Sequence, residues 1–139
     1  MRWNEIFESQ GPSSIEFDFD GGSVEGYTVD SSAEQLPNWL ARYDIYDDQI
    51  VENISSQYQT IAMLNNINVE EDSRGTGMGN DLLESFESEA SSHGAQIVLL
   101  IADVHESQSE GFDLTSWYER SGYQIMKETN SGPLMIKKL

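Results

Sequence analysis

The sequence predicts a mixed α+β fold. It reads as one domain over residues 1–139, with a mixed, mostly antiparallel sheet of six to seven strands flanked by helices. Three observations predict it. The run Ile15-Glu16-Phe17-Asp18-Phe19-Asp20 alternates apolar and acidic residues, the period of a strand with one buried face. Between Ile61 and Ala102 a strand, a glycine-rich loop, an amphipathic helix and an unbroken apolar strand follow in order. That is a βαβ unit, whose two strands run parallel with a right-handed crossover. The chain then closes on two short strands joined through Asn130-Ser131-Gly132-Pro133, a hairpin connection.

Each element has its own local signal. Gly21-Gly22 is a turn, and Ser23 to Val29 reads as the strand returning from it. Ser31, Ser32 and Pro37 mark a helix start, and Leu36, Leu40 and Tyr43 fall at i, i+4 and i+7, giving a short helix over 36–44. Gln49 to Ser55 and Tyr58 to Val69 read as two strands, antiparallel across Ser56-Gln57. Asn65-Asn66 interrupts the second of them, and Asn is depleted in strand interiors, so a bulge is expected there. In the helix from Gly79 to His93, Leu82, Leu83, Phe86 and Ala90 form one stripe, with Asp81, Glu84, Glu87 and Glu89 outside it. Gly94 is the residue expected just past a helix end. Gln96 to Ala102 lacks alternation, as a strand covered on both faces does. A short helix over 113–121 is stopped by Gly122, and Tyr123 to Glu128 and Leu134 to Lys138 form the closing hairpin.

Composition narrows the function classes. With 37% hydrophobic residues and three Trp, the chain can build a core. It has no cysteine, hence no disulfide scaffold, thiolate metal site or cysteine nucleophile. Its two histidines, His93 and His105, have no close or helical spacing, so no metal site is expected. No apolar run reaches the length of a membrane span, and Met1-Arg2-Trp3-Asn4-Glu5 lacks a signal-peptide core, so the expectation is a soluble cytoplasmic protein. The net charge of −18 argues against direct binding to nucleic acid or an anionic membrane. The charge is uneven: 15 acids and 2 bases in residues 1–72 give −13, and 10 acids and 5 bases in residues 73–139 give −5. Solubility or salt adaptation explains such an excess; steering of a cationic partner to the N-terminal half explains it too, and mimicry of nucleic acid is a third reading.

The most specific chemistry lies in Arg74-Gly75-Thr76-Gly77-Met78-Gly79, between a strand and a helix. Such a loop places backbone N–H groups and the positive end of a helix around an anion, with little side chain in the way. A plain tight turn is the bland alternative. A dinucleotide fingerprint is another, but it wants Gly-x-Gly-x-x-Gly, and here the glycines alternate with no repeated βαβ unit.

Arg74, Gly77 and Gly79 at the start of the central helix, and Trp117-Tyr118-Glu119-Arg120-Ser121-Gly122-Tyr123 after the buried strand, together resemble the GNAT superfamily of acetyl-CoA-dependent N-acetyltransferases. The resemblance covers residues 60–139. It implies acetyl-CoA as cosubstrate, its pyrophosphate on the backbone of Arg74, Gly75, Thr76, Gly77, Met78 and Gly79. It implies that the two central strands splay to admit the pantetheine arm, which bonds backbone near Ile67, Asn68 and Val69. It makes Tyr118 the general acid for the departing thiolate; an unperturbed phenol, with a pKa of about 10, is protonated at neutral pH. Simple packing of Tyr118 against the cofactor is the competing role. The general base stays open among Glu52, Asp103, His105, Glu106 and a water-mediated route, and Gly111 stands where the family often has Asn. The implied activity is acetyl transfer to a primary amine: a small cationic amine, or a protein lysine or N-terminus. The alternative is an acidic interaction protein that keeps the fold, has weak or no catalysis, and binds a basic or nucleic-acid-binding partner. Monomer and homodimer are both compatible with the sequence.

Overall fold

A computed structural model describes residues 13–102 and 113–139. Six strands form one sheet: β1 (Ser13–Phe19), β2 (Gly22–Asp30), β3 (Thr60–Val69), β4 (Ile97–Ile101), β5 (Gln124–Lys127) and β6 (Leu134–Lys138), in spatial order β1-β2-β3-β4-β6-β5. Among the described residues four α-helices accompany them: α1 (Gln35–Ala41), α2 (Asp48–Gln57), α3 (Met78–Ser92) and α4 (Leu114–Arg120). Every pairing is antiparallel except β3 with β4, as the βαβ reading requires.

The sheet is covered on both faces, and strand alternation assigns the faces. Ala62, Leu64, Val98 and Leu100 point to the face holding α3 and α4, where Leu82, Leu83, Phe86, Ala90 and Tyr118 are buried. Ile61, Met63, Ile97 and Leu99 point to the other, where Leu36, Trp39 and Leu40 of α1 and Ile54 of α2 are buried. The unbroken apolar runs of β3 and β4 follow from this double cover.

The segment read as a strand over Gln49 to Ser55 is instead helix α2, so no hairpin crosses Ser56-Gln57 and the sheet has six strands among the described residues. Its physical origin is the start of the helix. The Asp47 carboxylate, in an extended residue, accepts from Gln49 N at 3.1 Å and Ile50 N at 3.2 Å, satisfying two donors that have no intrahelical partner. Lys127 bonds the same carboxylate at 3.0 Å and, as the largest cause, holds it below the usual carboxylate range. The β-branched residues of Ile50-Val51 then pack as one helical face with Ile54 rather than alternating along a strand. The first helix also ends early, at Ala41; Asp44 follows in the left-handed region at φ 59°, which turns the chain.

The bulge expected at Asn65-Asn66 is present. Glu25 faces Asn66 and Gly26 faces Leu64, which leaves Asn65 as the extra residue of β3. Gly26 is required opposite it: a Cβ there would lie 2.2 Å from the Met63 carbonyl oxygen and 2.6 Å from the Phe86 ring. Because one obstacle is backbone, Gly26→Ala is expected to destabilise the fold by about 3 kcal/mol or more. Denaturant titration measures it, and a loss below about 1 kcal/mol would mean the sheet yields at the bulge.

β3 and β4 pair at Ile61–Ile97, Ala62–Val98 and Met63–Leu99 and, among the described residues, no further. β3 continues to Val69 beside β2, while β4 continues to Ile101 beside β6. The parallel pair therefore parts toward its C-terminal ends, as the implied splay requires. The glycine loop leaves from one of those ends.

Candidate active site

The loop is built for close approach. Gly75 and Gly77 have φ of 81° and 87°, a region L side chains rarely adopt, and a Cβ on either would meet nothing within 4 Å among the described residues. The space a side chain would fill is therefore open to a ligand. Gly77 caps α3 and, being glycine, offers no side-chain cap to the first-turn N–H groups; the first helical bond is Asp81 N to Gly77 O at 3.0 Å. The first-turn N–H groups and the positive end of the helix dipole lie at this end of the loop, a favourable setting for a diphosphate.

The loop is held from below. The Thr76 hydroxyl donates to the Ser73 carbonyl, closing the turn that follows the 3₁₀ segment Glu71–Ser73. Glu70 N donates to Gly21 O at 2.8 Å, which ties the β1–β2 turn to the base of the loop. Arg74 folds back, its Nε donating to the Val69 carbonyl at 3.2 Å. Of the backbone expected to receive the pantetheine arm, the Val69 carbonyl is thus already engaged. Ile67 and Asn68 pair across to Val24 and Ser23 of β2. The acids Glu70, Glu71 and Asp72 are exposed on the turn before the loop.

The two motifs meet in space. A Cβ on Gly79 would come within 3.2 Å of the Trp117 ring and 3.7 Å of Val69 Cγ2. The start of α3, the end of β3 and the aromatic run on α4 thus converge at the edge where β3 and β4 part. Gly79 is small to make room for Trp117, a packing role different from that of Gly75 and Gly77. Asp113 starts α4, its carboxylate accepting from Ser116 N at 3.1 Å and from Ser116 Oγ at 2.6 Å. Those bonds hold its carboxyl below the usual range.

Tyr118 is 2% exposed, its ring edge-on to Trp117 at 4.9 Å and to Tyr123 at 5.5 Å between centroids. Tyr123 is fixed in turn. Its hydroxyl donates to Glu87 Oε2 at 2.9 Å, and Lys137 Nζ donates to Glu87 Oε1 at 2.9 Å. Lys137 also sits 5.7 Å from the centre of the Tyr123 ring. Burial first, and then the Glu87 carboxylate, push the Tyr123 phenol far above its ordinary value, so it stays a donor at any physiological pH. The sequence placed Glu87 on the polar side of α3 and gave Tyr123 no partner. Its bond spans 36 residues and the ion pair of Lys137 with Glu87 spans 50, separations no local pattern reveals.

Of the candidate bases, only Glu52 lies among the described residues. Glu52 lies on helix α2, not on a strand beside β3, and it is exposed. α2 packs on the sheet face opposite α4, so the sheet stands between Glu52 and Tyr118, and the structure does not bring the two together. Asp103, His105, Glu106 and Gly111 lie outside the described residues. His93 caps the end of α3 and meets Glu89 at 3.0 Å, a helix-end role. Among the described residues no helix is long and apolar enough to cross a membrane.

No protein-family model and no curated protein sequence matches the chain. Solved structures do. An acetyltransferase from Bacillus cereus ATCC 14579 is 16% identical with a TM-score of 0.61, covering 98% of this chain and 87% of that one. NAA60 of Arabidopsis thaliana, solved with a bisubstrate analogue, is 15% identical with a TM-score of 0.60, covering 99% of this chain and 84% of that one. The PaiA N-acetyltransferase of Thermoplasma acidophilum, solved with coenzyme A, is 15% identical with a TM-score of 0.57; the match covers 91% of this chain but only 62% of that protein's length. At such identities the likeness is one of overall fold. The chain has the fold of the GNAT N-acetyltransferases.

Proposed function

We propose that the protein transfers an acetyl group from acetyl-CoA to a primary amine. The observation that carries this reading is the convergence of the open glycine loop, the uncapped start of α3 and the Trp117-Tyr118 pair where β3 and β4 part. Bound acetyl-CoA would supply an activated acyl thioester. The backbone of Arg74 to Gly79 would hold its diphosphate, and β3 beyond Met63 has an edge without a strand partner among the described residues, suited to an extended, amide-bearing arm. Tyr118 would hold the proton that the departing sulfur takes. Trp117 and Tyr123 orient its ring, and Glu87 and Lys137 orient Tyr123. Turnover of acetyl-CoA against a panel of amines, followed as free thiol, tests the reading. Thiol release that depends on the amine supports it, and none from any amine overturns it.

The acceptor in this reading is cationic. The support is the net charge of −18, concentrated as −13 in residues 1–72. For such an acceptor kcat/KM is expected to fall as salt rises from 0.01 M to 0.15 M, while the Debye length shrinks from about 30 Å to about 8 Å. The affinity for acetyl-CoA should stay level or improve over the same range, because screening relieves its repulsion from an acidic protein. The opposite trends separate steering from general solubility charge. A flat acceptor term would make the acid surface adaptation only.

A further inference from the structure

We propose that the hydrogen bond between Trp39 and Asn65 is a positioning device for the acyl-carrying arm of the cosubstrate, an inference that rests on the acetyl-CoA reading above. Trp39, on α1, is fully buried, and its Nε1–H donates to Asn65 Oδ1 at 2.8 Å. Asn65 is the bulged residue of β3, and only Leu64 separates it from Met63, the last residue of β3 that pairs with β4. The bond therefore ties the helix layer on one face of the sheet to the point at which the parallel strands part.

The bulge needs such a tie. From Ile61 to Leu64 the register of β3 is set by four buried apolar residues. Asn65 and Asn66 are both exposed, and no apolar side chain fixes the register again until Ile67. Burial thus leaves open which of the two Asn residues is extra. An indole N–H in a fully buried ring requires an acceptor. Asn65 supplies it across 26 residues of sequence, and so selects the bulge one residue past Leu64. A bulge bends its strand and increases the local twist. Fixing the bulge therefore fixes the direction in which β3 leaves β4, and with it the free edge along which an extended, amide-bearing ligand would lie. The glycine loop, at the far end of β3, is held separately by Thr76 and by the β1–β2 turn.

The two halves of coenzyme A then respond differently to loss of the bond. Calorimetry compares acetyl-CoA with 3′-phospho-ADP, which carries the same diphosphate and lacks the pantetheine arm. In Trp39→Phe and in Asn65→Ala the acetyl-CoA affinity is expected to fall on the order of tenfold, the scale of one hydrogen-bond-sized difference. The affinity for 3′-phospho-ADP should not change. Asn65→Asp, which keeps an acceptor oxygen at the same reach, should retain acetyl-CoA binding, and the double variant should be no worse than either single one. Equal losses for the two ligands would indicate general damage to the fold and overturn the inference. So would wild-type acetyl-CoA affinity in both single variants, and that result would leave the acetyl-CoA reading standing. A wild-type protein that binds neither ligand would overturn both.

Discussion

Gly77→Glu is expected to abolish acetyl-CoA binding. Gly77 caps α3 at φ 87°, beside N–H groups with no side-chain cap, and a Cβ there points into open space. The substitution therefore does two things. It imposes a left-handed conformation on an L residue, at a cost of about 1–2 kcal/mol. It also sets a carboxylate where the diphosphate would lie, so the helix end is satisfied by the protein's own anion. Gly77→Ala carries the strain without the charge, and with nothing within 4 Å of its Cβ it should fold and bind, if more weakly. The difference between the two variants isolates occupation of the anion site. Arg74→Ala should cost less, about 10- to 100-fold in affinity, as one charge-assisted hydrogen bond does. Gly79→Glu is a poor substitute, because its side chain would be driven against the Trp117 ring. Calorimetry with acetyl-CoA decides the matter. Affinity in Gly77→Glu equal to wild type would remove the cofactor assignment.

What the sequence revealed of this site is what local backbone chemistry dictates. Gly75 and Gly77 are legible because a loop with positive φ at both positions admits few other residues. The bulge is legible because Asn65-Asn66 breaks an apolar run that both core layers need. Ile97 to Ile101 is legible because a strand buried on both faces has no polar side to show. Helix α2 reads as a strand because Ile50-Val51 and Ile54 carry β-branched side chains in a short segment. The Asp47 cap, the signal of a helix start, lies just before it and outweighs that strand preference. The early end of α1 at Ala41 is not legible because Tyr43 keeps the helical spacing of Leu36 and Leu40 up to the left-handed turn at Asp44. The remaining features are tertiary. Tyr123 with Glu87 and Trp39 with Asn65 are single hydrogen bonds between segments distant in the chain; Asn65 marks the bulge in the sequence, but nothing local names the partner of either bond. The resemblance to a family named Tyr118; its burial between two aromatic rings is visible only once α4 is packed.

Tyr118→Phe is expected to lower kcat by about 10²–10⁴-fold, the range of general acid–base effects, while leaving acetyl-CoA affinity unchanged. The burial of Tyr118 makes this a clean substitution. At 2% exposure, its ring contributes to the core with Leu82, Phe86 and Tyr123, and Phe keeps that ring and its edge-on contacts to Trp117 and Tyr123. The variant opens no cavity, and the change is confined to one hydroxyl, a stability term of about 1 kcal/mol. A large effect on turnover thus cannot be assigned to loss of packing. Tyr123→Phe is the matched control. It also removes one hydroxyl from the same aromatic cluster and keeps the ring, but the hydroxyl it removes bonds Glu87. If the chemistry needs only a rigid aromatic wall beside the thioester, the two variants should behave alike and both remain active. If it needs a proton at the position of Tyr118, only Tyr118→Phe should lose turnover, and the loss should appear in kcat rather than in KM for acetyl-CoA. Turnover near wild type in Tyr118→Phe would leave protonation of the sulfur to water and reduce Tyr118 to the packing role that its place in the core already gives it.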